Sequence, residues 1–96
     1  MTAYVVFIKE VTLDAAEMAQ YSAQVGRSFA GREVTVHAAY GAQEVLEGPA
    51  VEGVVILRFP DMAAARDWYR SPDNQAAAQH RFTGARYRAV LVEGKT

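Results

Sequence analysis

The run Ala3-Tyr4-Val5-Val6-Phe7-Ile8-Lys9, with its counterpart Gly53-Val54-Val55-Ile56-Leu57-Arg58-Phe59, decides the architecture. Both are strand-length stretches rich in β-branched and aromatic residues. In a strand with one wet face, apolar and polar residues alternate. Here they do not. Tyr4, Val6 and Ile8 fall on one side of the first strand and Val5 and Phe7 on the other; Val55, Leu57 and Phe59 oppose Val54 and Ile56 in the second. A strand apolar on both sides needs cover on both sides.

The flanking sequence supplies cover for one. After Thr12-Leu13, Asp14 and Glu17 stand at capping-box spacing, which predicts a helix from about Ala15, with Met18, Tyr21, Val25 and Phe29 as its buried stripe. Gly31 suits the left-handed residue that ends such a helix. Glu33–Ala39 sets Val34, Val36 and Ala38 against Glu33, Thr35 and His37, a half-polar strand, and Ala42–Glu47 reads as a short hairpin arm ended by Gly48-Pro49. Beyond Phe59, Asp61 caps a helix over Met62–Arg70 with Met62, Ala65 and Tyr69 inward, and Ser71-Pro72 restarts a short helical turn. Ala85–Glu93 closes the series, with Tyr87, Ala89 and Leu91 facing away from Arg86, Arg88, Val90 and Val92.

Strand, helix, strand, strand, helix, strand is the α+β order of the ferredoxin-like βαββαβ sandwich. Its crossovers are right-handed, so both helices lie on one face of the sheet and the other face stays bare. About half a dozen large apolar side chains face that way. At roughly 1.5–3 kcal/mol each, leaving them wet forgoes on the order of 10 kcal/mol, comparable with a small domain's whole stability. A second copy of the chain is the simplest cover, giving a homodimer through the open sheet face, a dimeric α+β barrel.

The 96 residues form one domain, 1–96, with no linker, repeat or low-complexity stretch. Ten basic against eleven acidic residues argue against a nucleic-acid or anionic-membrane binder. No cysteine is present, which excludes disulfides, thiolate nucleophiles and Cys-ligated metal. The opening residues lack a signal-peptide layout and the apolar runs are too short to span a bilayer, so the expected compartment is the cytoplasm. No metal and no cofactor is expected: two histidines and no His/carboxylate cluster leave nothing at metal-site spacing, and no phosphate-cradling glycine loop occurs.

By strand alternation the helix-free face collects Phe7, Thr35, His37, Val54, Ile56, Arg58, Arg86 and Arg88. A greasy floor with an imidazole and guanidinium groups suits a planar carboxylated ligand, because arginine pairs with carboxylates bidentately. Arg58, inside the most apolar strand, is the most informative; the competing account pairs it with Glu52, Glu93 or an acid of a partner. His37 is a proton shuttle if held near substrate and a plain strand residue otherwise. Tyr40, beside a turn, is free to line a pocket mouth. Whether the chain is an enzyme stays open at this point.

Phe59-Pro60, Ala65-Arg66-Asp67-Trp68-Tyr69-Arg70-Ser71-Pro72-Asp73, Arg81 and the closing Val90-Leu91-Val92-Glu93-Gly94 resemble the bacterial family known as domain of unknown function 1330, as do Leu46-Glu47-Gly48 and Ala3-Tyr4-Val5-Val6. The resemblance covers nearly the whole chain and implies a dimeric α+β barrel. It implies no reaction, since relatives of that fold include cofactor-free monooxygenases, isomerases, haem-binding enzymes and stress-response proteins. Arg81 matches the family's arginine after the second helix and joins Phe7, His37 and Arg58 as a candidate ligand-binding residue. Asn74 departs from the family, where tyrosine usually follows the Ser-Pro-acid segment; Ala30-Gly31 and Ala39-Tyr40 stand where glycine pairs are common. Two functions compete: a small-molecule enzyme or binder acting without cofactor on an aromatic or lactone-like acid, and a non-catalytic dimeric module.

Overall fold

A computed structural model describes residues 1–95; Thr96, the last residue of the 1–96 domain reading, lies outside them. Strand β1 (Ala3–Thr12) leads into helix α1 (Ala15–Gln24) and a 3₁₀ turn (Val25–Phe29), then β2 (Thr35–Ala39), β3 (Gly53–Phe59), α2 (Met62–Arg70), α3 (Pro72–Gly84) and β4 (Ala85–Glu93). The strands form one sheet in the order β2-β3-β1-β4 with every neighbouring pair antiparallel, and the chain has a ferredoxin-like α+β fold.

The helix boundaries follow from local chemistry. The Asp14 carboxylate accepts from the backbone N–H of Ala16 (3.0 Å) and Glu17 (3.2 Å), satisfying donors that have no partner inside the helix. The reciprocal half of the capping box is not made. Glu17 instead accepts from His80 on α3 (Nδ1 to Oε2, 2.6 Å), while the Asp14 N–H donates to the Gly84 carbonyl at 2.9 Å. Asp61 caps α2 through Ala64 N–H at 2.8 Å. Ser71 serves two helices: its hydroxyl donates to the Trp68 carbonyl (2.7 Å) and accepts from Asn74 N–H (3.3 Å).

Three elements differ from expectation. The first helix, read as carrying its stripe on to Phe29, ends at Gln24 and tightens into the 3₁₀ turn Val25–Phe29. Ala42–Glu47 forms no hairpin arm; 41–50 is an irregular loop in which Leu46 is 85% exposed. The helical turn at Pro72 extends to Gly84, the longest helix of the fold. Of its buried positions, Asn74 and Arg81 are polar and Ala77, Ala78 and Gly84 are too small to draw an apolar stripe, yet small residues let α1 approach closely. At Gly84 a Cβ would lie 3.0 Å from the backbone nitrogen and side chain of Met18.

Register fixes which side chains meet the helices. Val5 pairs with Leu57 and Leu91, Phe7 with Val55 and Ala89, and these odd-numbered residues of β1 face α1, α2 and α3. The core on this side gathers Ala3, Val5, Phe7, Leu57, Phe59, Ala65 and Trp68, all 4% exposed or less. Tyr4, Val6 and Ile8 line up with Val54, Ile56, Val90 and Val92 on the opposite, open face, where Val90 and Val92 are 52% and 49% exposed. Both inner strands are thus apolar on either side, with helices over one side only.

Candidate functional site

Phe7 belongs to the covered face, which corrects its placement beside His37 and Arg58. Phe7 aligns with Val55 and Ala89, whereas Arg58 aligns with Tyr4 and Thr35. A strand's side-chain period is two, so this difference of parity puts the two residues on opposite faces. The Phe7 ring meets Trp68 edge-on at 6.1 Å and Tyr87 edge-on at 6.3 Å. Beside it, between the sheet and α1, lies an apolar cavity of about 200 Å³ walled by Phe7, Tyr21, Phe29, Tyr40, Leu57 and Trp68, with Val36 and Ala39 at its β2 edge.

Arg81 stands next to this cavity. It occupies the last turn of α3 and is 3% exposed. Its guanidinium carbon lies 4.9 Å from the centre of the Phe7 ring, 5.0 Å from Phe82, 5.4 Å from Tyr87 and 5.7 Å from Tyr21. Two of these rings, Phe7 and Tyr21, are cavity walls. Among the described residues the carboxylate contacts to basic side chains are Lys9–Glu52 (3.8 Å) and the His80–Glu17 hydrogen bond (2.6 Å), so no carboxylate answers the Arg81 charge, and its Nε has no hydrogen-bond partner. Burying an unpaired cation costs several kcal/mol; ring faces return about 0.5–2 kcal/mol apiece. An anion delivered from outside would complete the arrangement.

Tyr21 and Tyr40 line the cavity, and Tyr87 lies beside Arg81. The Tyr40 and Tyr87 hydroxyls hydrogen-bond to each other. Burial first, and the Tyr40 hydrogen bond second, push the Tyr87 phenol far above the usual 10.0; burial likewise raises Tyr21, against the opposing pull of the Arg81 charge. Both phenols therefore stay protonated through neutral pH and are donors, the form that suits an incoming anion. The same shifts set an alkaline limit on stability. Because the folded-state values lie above the unfolded one, their contribution is complete below about pH 10 and is lost as pH rises toward the folded values, by less than about 1.4 kcal/mol per pH unit for each partly screened ring. Urea midpoints measured from pH 8.5 to 11 fall in the wild type and fall less steeply in Tyr87→Phe; parallel profiles would refute this.

The remaining sequence candidates lie elsewhere. A bulge between Val36 and Ala38 leaves His37 without a register partner; it is exposed, with its ring 6.2 Å from Tyr4 on the open face. The bulge also breaks the expected alternation, so Val36 joins Leu57 above the cavity while Ala38 joins Ile56 on the open side. Arg58 is exposed on the open face and makes neither of the ion pairs proposed with Glu52 and Glu93. Phe7 and Arg81 are thus brought together and His37 and Arg58 are not brought to them. His80 does not line the cavity; it ties α3 to α1 through Glu17 and Gln24. Asn74, 1% exposed, donates to the Tyr69 carbonyl at 2.7 Å and fills the α2–α3 junction. Tyr21 and Tyr87 escaped sequence reading as site residues because their helical and strand phases mark them simply as core.

The sequence model of a family described as a domain of unknown function, DUF1330, matches residues 2–95. No curated protein matches the chain. Among solved structures, a protein of unknown function from Rhodopseudomonas palustris superposes with a TM-score of 0.75 at 19% identity, covering 99% of this chain and 83% of that one. A dimeric ferredoxin-like protein of unknown function from Bacteroides fragilis gives 0.65 at 10% identity over 97% and 96% of the two chains. SnoaB, a cofactor-independent oxygenase from Streptomyces nogalater, gives 0.59 at 14% identity over 99% and 93%. At such identities the likeness is one of fold.

Proposed function

The chain belongs to the DUF1330 family, and from that premise we propose that its single domain, 1–96, is a cytoplasmic homodimer whose protomers each bind a small aromatic carboxylate between sheet and helices. The observation that carries the ligand reading is Arg81: a cation buried beside an apolar cavity, caged by four rings and answered by no acid. An apolar cavity of about 150 Å³ is known to hold benzene, so about 200 Å³ takes one ring with a small substituent. The ring packs on Phe7 and Trp68, the carboxylate meets Arg81, and the Tyr87 and Tyr21 hydroxyls donate to it. If the bound acid is transformed as well as held, these side chains act on it without a cofactor.

Benzoate at 100 times its dissociation constant adds about 2.7 kcal/mol and raises the melting temperature by roughly 11–22 °C. Arg81→Met abolishes the shift yet melts no lower than the wild type, because an apolar side chain replaces an uncompensated buried charge. Arg58→Ala, on the other face, keeps the shift. A benzoate shift that survives Arg81→Met removes the assignment.

A second reading, a non-catalytic dimeric module, draws on the open face, where His37 and Arg58 lie at the border of an apolar wall and serve contacts between protomers. The dimeric ferredoxin-like neighbours support such pairing. Among the described residues no helix is long and apolar enough to cross a membrane.

A further inference from the structure

Tyr40 is the one described residue other than glycine with a left-handed backbone, at φ 57°. That conformation favours glycine or asparagine, and a bulky side chain there is strained. The usual compensation, burial, is slight, since Tyr40 is 46% exposed. A second position is shaped for the same ring. Gly53 is buried, and a Cβ on it would fall 2.5 Å from Cδ1 of Tyr40. Register aligns Gly53 with Lys9 and Lys9 with Tyr87 across β3, β1 and β4. From the end of β2 the Tyr40 side chain lies along this row, over Gly53, with the Lys9 ammonium 5.5 Å from its ring centre and its hydroxyl bonded to that of Tyr87. In this position it walls the cavity as a bar beside Gly53.

A strained backbone and a cleared floor, both serving one half-exposed ring, point from an outlier to a role. We propose that Tyr40 is the specificity-determining wall of the cavity, restricting its ligands to a single ring. This deepens the ligand-site reading above and rests on the same cavity, but not on the Arg81 charge. The probes are therefore uncharged at neutral pH: 4-ethylphenol and 4-phenylphenol, alike in their polar end and differing by a second ring. Trp68, the only tryptophan, lines the cavity, and its indole N–H resonance reports occupancy. In the wild type 4-ethylphenol moves this resonance and 4-phenylphenol does not. Tyr40→Gly, which relieves the backbone and removes the bar, binds 4-phenylphenol at least about tenfold more tightly than the wild type does, while 4-ethylphenol changes less than about threefold. Gly53→Ala, which displaces the ring from its floor, changes the ratio of the two affinities at least about tenfold. Ratios unchanged in both variants, or an indole resonance that neither phenol moves in any of the three proteins, overturn the assignment. Size discrimination by Tyr40 alongside a benzoate shift that survives Arg81→Met would leave this inference standing and remove only the carboxylate assignment.

Discussion

Trp68→Ala is expected to lower the stability of the fold by about 3–5 kcal/mol, the range for deleting a fully buried aromatic side chain. Trp68 is 0% exposed and joins rings from four directions: Phe29 stacked at 5.4 Å, Phe59 tilted at 5.4 Å, and Phe7 and Tyr69 edge-on at 6.1 and 6.3 Å. Removing it leaves those rings without a common neighbour and opens the cavity into the core. Total stabilities of small domains lie near 5–15 kcal/mol, so the variant is marginal or unfolded at 37 °C. Trp68→Phe separates packing from hydrogen bonding. The indole N–H donates to the buried Ser28 hydroxyl at 2.9 Å, and losing that donor costs about 1–3 kcal/mol with most of the packing retained. Urea unfolding followed by circular dichroism measures both, and a Trp68→Ala loss under about 1 kcal/mol would contradict this account of the core.

Val90→Asp is expected to separate the dimer without unfolding the protomer. Val90 lies opposite Val6 on the open face and is 52% exposed, so in an isolated protomer the new carboxylate meets water. In the proposed two-fold dimer through the open face it becomes buried, and symmetry places it there twice. At about 3 kcal/mol or more for each uncompensated charge, association weakens by about 6 kcal/mol, on the order of 10⁴-fold. Sedimentation at micromolar concentration gives a dimer for the wild type and a protomer of unchanged circular dichroism for Val90→Asp. A wild-type chain sedimenting at 10.5 kDa would dispose of the pairing.

What could be read from the sequence was whatever a period expresses. The apolar runs Ala3–Lys9 and Gly53–Phe59 announced the inner strands, and Asp14, Asp61 and Ser71 marked helix starts, because a cap is a local event. Helix α3 was foreshortened since its inner residues, Ala77 and Ala78, carry too little bulk to register as a stripe. The site was half legible. Phe7 and Arg81 meet, but the bulge at His37 and the parity of Arg58 depend on strand pairing, which alternation within one strand does not reveal. The roles of Tyr40 and Gly53 likewise arise only once the sheet aligns residues from four strands.

Strand β1 is flanked by β3 and by β4, the element made last. On the ribosome, its greasy Val5–Ile8 segment must wait for Ala85–Glu93 before its second edge is closed, about 4–17 s at ordinary elongation rates of 5–20 residues per second. During that interval the nascent chain carries an unzipped, adhesive edge, so translation speed and chaperone access, rather than equilibrium stability alone, govern how much of it reaches the native state.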